Sequence, residues 1–289
     1  MKSLLIPFAV LVLACAVCSA IEIQRDIAYL GEDREEKLDV YLPDTEPIHS
    51  PLPAVILIHG GGWGGGDKAS KRMQSMAEFL ADEGYAVFSI NYLLNIGERD
   101  PETRKYHLEK LAWPQNFLDC KSALRYVRAH AGHYGIDPER IGLIGTSAGG
   151  HLAMLVGGTA NDPNMNAEGL YRDESNEVAC IVNMYGPFDT EGKALSPLMG
   201  STPEVKRALG KASSPKTYMD EDFPPILILH GSADATVSVD SSRELARYLT
   251  TLGCTYEYIE IEDAPHSFNF QPEQMDLRPA VIEFLNANL

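Results

Sequence analysis

Residues 141–156 read IGLIGTSAGGHLAMLV. The opening run, 141–144, is apolar apart from one glycine, as expected of a strand buried on both faces of a sheet. Gly145-Thr146-Ser147-Ala148-Gly149 follows and fits G-x-S-x-G, and 150–156 has the make-up of a helix. A strand that passes into a helix through one serine must turn very tightly. Small residues are needed on both sides of that serine, and the turn lifts its hydroxyl to the sheet edge, beside a helix N-terminus. Five residues alone would equally fit a glycine turn with a serine helix cap, so the reading depends on the rest of the chain.

Working outward, residues 53–59, 85–92, 179–185, 226–230 and 256–261 resemble 141–145 as candidate buried strands, and 21–29 with 37–42 reads as an opening pair. That makes about eight strands. Between them lie helical patterns at 244–252 and 279–289. Phe117, Leu124 and Val127 fall on one face of a further helix, with Lys121, Arg125 and Arg128 elsewhere on it. Alternation of this kind predicts an α/β protein: a mostly parallel eight-stranded sheet with helices on both faces, in one domain over 21–289. Asp137-Pro138 predicts a turn before the strand at Ile141. Residues 161–178 are polar, and 188–222 are rich in Pro and Ser with one short helix near 204–209. Both are expected to run over the C-terminal edge of the sheet, where loops set specificity.

The strand at 53–58 runs into His59-Gly60-Gly61-Gly62-Trp63. Attack on an ester puts negative charge on the carbonyl oxygen, and backbone N–H groups aimed at that oxygen stabilise it. Gly61, Gly62 and Ala148 are the expected donors. His59 is expected to brace this loop, while Trp63 and Tyr92 are candidates for the pocket wall. A nucleophilic serine also needs a base, and the base an orienting acid. Asp234 follows the strand at 226–230, and His266 follows the strand at 256–261. The order Ser147, Asp234, His266 is that of α/β-hydrolase triads, and each member sits just past a strand's C-terminal end. Among rival acids, Asp240 suits a helix start and Asp263 is too near His266 in sequence. Among rival bases, His230 precedes the acid, His151 suits core packing, and His130 and His133 suit solvated positions.

Taken together these residues resemble the acetyl esterase/lipase group of α/β hydrolases. The likeness is to feruloyl- and acetylxylan-esterase-like enzymes and to the hormone-sensitive-lipase branch. The residues that carry it are His59–Trp63 with Gly66-Asp67-Lys68, Asn91-Tyr92, Trp113-Pro114, the stretch 134–141, Gly145–His151, His230–Asp234 and His266. The resemblance implies a cofactor-independent carboxylic ester hydrolase with Ser147, Asp234 and His266 as its triad. Two departures favour the polysaccharide-esterase side. Thr146 stands where the lipase branch often has an acid, and no N-terminal helical cap precedes the strands. Amidase, arylformamidase and small-peptidase chemistry share the same triad and stay open as alternatives, as does, more remotely, a non-catalytic binding role.

Composition bounds the remainder. The 289 residues carry 41 acidic and 24 basic side chains, for a net charge of −17. Such a surface repels polyanions, so nucleic acid is an unfavourable partner and a small-molecule or polysaccharide ester the expected one. Residues 4–17 are apolar and end in Cys18-Ser19-Ala20, which predicts a signal peptide over 1–20 and an exported protein. Cys15 leaves a lipoprotein signal as a second reading and an uncleaved anchor as a third. Past that stretch no run is long and apolar enough to span a bilayer. Cys120, Cys180 and Cys254 are odd in number and form no disulfide framework, although one bridge is open to them. No metal-binding motif is present, and the glycine run at 60–66 lacks the ending of a phosphate loop.

Overall fold

The computed structural model describes residues 21–44, 51–103, 106–191 and 203–289. The expected signal stretch, with Cys15, lies outside them. In chain order the strands are β1 (Glu22–Ile27), β2 (Leu38–Leu42), β3 (Leu52–Ile58), β4 (Ala86–Ile90), β5 (Ile96–Arg99), β6 (Tyr106–Lys110), β7 (Ile136–Thr146), β8 (Cys180–Met184), β9 (Ile226–Gly231) and β10 (Tyr256–Ile261). The helices are α1 (Lys71–Asp82), α2 (Gln115–Ala129), α3 (Ala131–Tyr134), α4 (Ala148–Gly158), α5 (Pro203–Ala212), α6 (Asp240–Leu252) and α7 (Arg278–Asn288).

Eight strands form one sheet in the order β1-β2-β4-β3-β7-β8-β9-β10, with β1–β2 and β2–β4 antiparallel and the other pairs parallel. They are the eight expected from the sequence. Side chains along a strand alternate between faces. Val55, Leu57, Val87, Val182 and Leu227 therefore meet α1 and α7, through Met73, Met76, Leu80, Val281 and Phe284. Ile56, Ile58, Phe88, Leu143 and Ile228 meet α2, α4 and α6, through Phe117, Leu124, Leu152, Leu245 and Leu249. Each aliphatic side chain fully removed from water here contributes about 1.5–3 kcal/mol.

Four differences from the sequence reading bear on the layout of the fold. The β5–β6 hairpin is an addition; residues 95–112 carried no recognised strand signal. Helix α1 is another addition, although Ser70 caps it through the amide of Met73 and its buried residues Met73, Met76, Ala77 and Leu80 have helical spacing. Asp137-Pro138 forms no turn outside the strand. It sits inside β7, in a stretch where the register with β3 slips between Leu52 and Ala54.

The fourth difference concerns residues 161–178. They follow the C-terminus of α4, so they lie at the start of β8, at the sheet edge opposite to Ser147, and cannot cover the site. Three buried cations of α2 pin them there. Arg125 donates to Asn176 Oδ1 and to the carbonyls of Asn166, Glu168 and Leu170. Arg128 donates to the carbonyls of Ser175 and Glu177. Lys121 donates to Thr159 O and to Asn166 Oδ1. Of the two segments, the one after β8 alone starts at the edge that carries Ser147, and it contains α5 where a short helix was expected; its residues 192–202 lie outside the described ones. Cys120, Cys180 and Cys254 are all free thiols, the first two buried and Cys254 half-exposed.

The parallel strands deliver their following loops to one edge. Gly60–Trp63 after β3, Ser147 after β7, Tyr185 and Pro187 after β8, Thr236 and Val237 after β9, and His266 after β10 all line one cleft of about 420 Å³.

Candidate active site

Ser147 joins β7 to α4 with φ 53° and ψ −117°, a conformation that costs a non-glycine residue about 1–3 kcal/mol. The surroundings enforce it. A Cβ on Gly145 would lie 2.2 Å from Gly149 O, and one on Gly149 would lie 2.0 Å from Ile58 O. Only glycines admit so tight a turn against β3. The Ser147 amide donates to Met184 O at 2.8 Å, which ties the turn to β8.

Ser147, His266 and Asp234 meet. His266 Nε2 lies 3.0 Å from Ser147 Oγ, and His266 Nδ1 lies 2.6 Å from Asp234 Oδ2. The Asp234 carboxyl is fully buried. Burial pushes its pKa up, but hydrogen bonds from His230, His266, Val237 and Thr236 outweigh this and hold the group well below the usual carboxylate range. The carboxylate therefore stays charged, fixing Nδ1 of His266 as a donor and leaving Nε2 free to accept from the serine. The ring of Tyr185 packs edge-on to His266 at 4.7 Å, and its hydroxyl donates to Phe268 O at 2.6 Å.

His230 is not a rival base. Its Nε2 sits 3.1 Å from Asp234 Oδ2 and 2.9 Å from Val237 O, while Nδ1 lies 2.7 Å from Ser242 Oγ. It holds the acid from behind, a role that sequence order alone did not suggest. Neither Asp240, the first residue of α6, nor Asp263 joins the triad.

The glycine loop packs directly on the serine turn. A Cβ on Gly60 would lie 2.8 Å from Thr146 O and 3.1 Å from Ser147 Cβ. Gly61 has φ 123° and Gly62 φ 61°, and both line the cleft with Ala148 and Trp63. Ala148 opens α4, so its N–H belongs to the first helical turn, whose amides have no partner within the helix. Tyr92, expected in the pocket wall, is instead buried behind the loop. Its ring stacks on His59 at 4.5 Å and its hydroxyl donates to His59 O at 2.8 Å. His59 in turn contacts Gly60 O at 2.7 Å, and burial lowers its pKa. Gly66-Asp67-Lys68 anchors the loop's far end: the Lys68 ammonium, almost fully buried, pairs with Asp26 and Asp39.

His151 links two loops across the helix that follows Ser147. Trp63 Nε1 donates to its Nδ1 at 3.3 Å, and its Nε2 donates to Ser213 O at 2.7 Å. Burial drives its pKa down to about 4, against the bond to Ser213, which favours the charged form. An unfolded histidine titrates near about 6.5. Between these values the unfolded chain takes up a proton that the folded chain refuses. Stability from this group is therefore whole above about pH 6.5 and is lost as pH falls toward 4. Urea unfolding at both ends of that range should show wild type losing about 3 kcal/mol more than His151→Gln; parallel losses would refute the assignment. Among the described residues no three His, Cys, Asp or Glu side chains gather as metal ligands would, and no helix is long and apolar enough to cross a membrane.

Known proteins share this fold. A truncated carbohydrate esterase from gut microbiota superposes with a TM-score of 0.76 at 27% identity, covering 92% of this chain and 96% of that one. Esterase 2 of Thermogutta terrifontis, phosphonylated by cyclosarin, superposes with a TM-score of 0.69 at 25% identity, covering 94% and 92%. In sequence the chain is 30% identical over 276 residues to esterase LipC of Mycobacterium tuberculosis, covering 88% of this chain and 63% of LipC. The chain spans little more than half of LipM and LipQ from the same organism, at 56% and 57%. The BD-FAE family model matches residues 38–249, a span that holds the serine turn, the glycine loop and Asp234. The fold is that of the α/β-hydrolases, and the chain belongs to the BD-FAE family.

Proposed function

We propose that this protein is a serine carboxylic ester hydrolase that works through an acyl-enzyme. The observation that carries the reading is the unbroken line from Ser147 Oγ through His266 to the buried Asp234, set beside a glycine loop in one cleft. His266 Nε2 takes the serine proton as Oγ bonds to the acyl carbon. The carbonyl electrons move onto the oxygen, where the N–H groups of Gly61, Gly62 and Ala148 receive the charge. As the tetrahedral centre collapses, the C–O bond to the alcohol breaks and His266 returns the proton to that oxygen. Water then repeats both steps and frees the acid.

The substrate proposed is an ester of a short acyl or feruloyl group on a carbohydrate or similar alcohol. Membership of the BD-FAE family supports this, as does likeness to a carbohydrate esterase over nearly the whole chain. The test has two arms. A fluorophosphonate should label Ser147, located by peptide mass spectrometry. Acetylated xylan and methyl ferulate should be hydrolysed faster than N-formyl amides. Labelling at another residue would overturn the nucleophile, and preference for the amides would overturn the ester reading.

A further inference from the structure

The cleft in front of Ser147 holds a guanidinium that no carboxylate neutralises. Arg72, half-buried in the first turn of α1, lines this cleft with His266. It also lines an adjoining groove of about 520 Å³ walled by Phe268, Asn269 and Gln271. The other buried and half-buried arginines among the described residues are engaged. Arg25, Arg34, Arg243 and Arg278 each hold a carboxylate. Arg125 and Arg128 hold main-chain carbonyls. Arg72 makes neither kind of bond among the described residues. The acid in the cleft lining, Asp67, is turned to other donors: it accepts from the amide of Ala69 and from Asn91 Nδ2. A single Glu, Glu273, lines the adjoining groove, and it makes no ion pair with Arg72.

Helix electrostatics point the same way. The N-terminus of a helix is its positive end and favours acidic side chains. The first turn of α1 has none; it carries Lys71 and Arg72 instead. The chain has an excess of 17 acidic charges. Even so, positive charge from two side chains and one helix end is concentrated beside the catalytic cleft. An unpaired guanidinium in such a place matches a carboxylate, which it can grip through two parallel N–H bonds.

We propose that Arg72 binds a carboxylate carried by the substrate, so that the preferred esters are anionic. The inference rests on the ester-hydrolase reading and adds a substrate class to it. The carboxylate could belong to the sugar, as in an acetylated uronic acid, or to the acyl group, as in a dicarboxylic half-ester.

Two substrate pairs separate these sources: acetylated glucuronic acid against acetylated glucose, and p-nitrophenyl hemiglutarate against p-nitrophenyl valerate. In wild type, kcat/KM should favour the anionic member of one pair at low ionic strength. Arg72→Gln should reduce that ratio by about 10- to 100-fold, and Arg72→Lys should keep part of it. Should Arg72→Gln fail to fold, the salt dependence of wild type decides. The preference should collapse at high ionic strength, because a half-exposed charge is screened. A wild-type ratio near unity in both pairs, a ratio that persists in Arg72→Gln, or one that salt does not change would overturn the proposal. Failure of wild type to hydrolyse p-nitrophenyl acetate would instead overturn the ester reading beneath it.

Discussion

Ser147→Ala lowers kcat on p-nitrophenyl acetate by at least about 10⁴-fold and leaves the fold intact. The magnitude follows from how triads respond when the nucleophile goes: removing one member costs nearly as much as removing all three, and what remains comes from the oxyanion donors. Those donors, proposed at Gly61, Gly62 and Ala148, are main-chain groups and survive the substitution. The fold survives because Oγ does little structural work. It makes no cap bond to α4, and the turn is tied down through the Ser147 amide and the glycines around it. Alanine meets the same positive φ that serine does, so the strain is unchanged. Steady-state kinetics with a thermal melt is the measurement. A folded variant that keeps a tenth of wild-type kcat would remove Ser147 from the mechanism.

The main sheet was legible because its central strands are buried on both faces and so read as unbroken apolar runs, such as Val55–Ile58 and Ile226–Leu229. The β5–β6 hairpin was not. Its strands, Ile-Gly-Glu-Arg and Tyr-His-Leu-Glu-Lys, are mostly polar and stand outside the main sheet, where no hydrophobic period is imposed. The burial of the α2 cations was not legible for a related reason. Lys121, Arg125 and Arg128 fall off the apolar face of their helix, which ordinarily means solvent. Here the polar segment 161–178 covers them and supplies carbonyls in place of water. Nothing in a helical period distinguishes those two environments.

The three residues of the triad were legible from strand ends and chain order. Their supports were not, because support is a contact between residues far apart in sequence. His151 appeared as a core residue, yet its two nitrogens join Trp63 to Ser213. Tyr92 appeared as a pocket residue, yet its ring lies against the back of His59. Arg72 carried no signal as a site residue; α1 had to be placed before its first turn could be seen to border the cleft.

Asp234→Asn reduces kcat by about 10⁴-fold at neutral pH, and the reason lies in the four donors around this side chain. Oδ2 faces the rings of His266 and His230, and Oδ1 faces the amides of Thr236 and Val237. A carboxylate accepts from all four. An asparagine has one oxygen and one NH₂ group, so either orientation sets a donor against donors. With the oxygen toward the histidines, the NH₂ group meets two backbone amides. With the NH₂ group toward them, His266 must turn Nδ1 into an acceptor. Its proton then moves to Nε2, pointing at Ser147 Oγ, and the base is lost. The second orientation is favoured, because backbone amides cannot change tautomer and an imidazole can. The unmatched donor also costs about 1–3 kcal/mol of stability. A second consequence concerns acid. The buried carboxylate contributes stability that is present above the ordinary carboxylate range and is lost as pH falls, so the variant should show a shallower acid limb in urea unfolding. Near-wild-type kcat in a folded Asp234→Asn would show that His266 keeps its tautomer without the carboxylate, and would move the orienting role to another group.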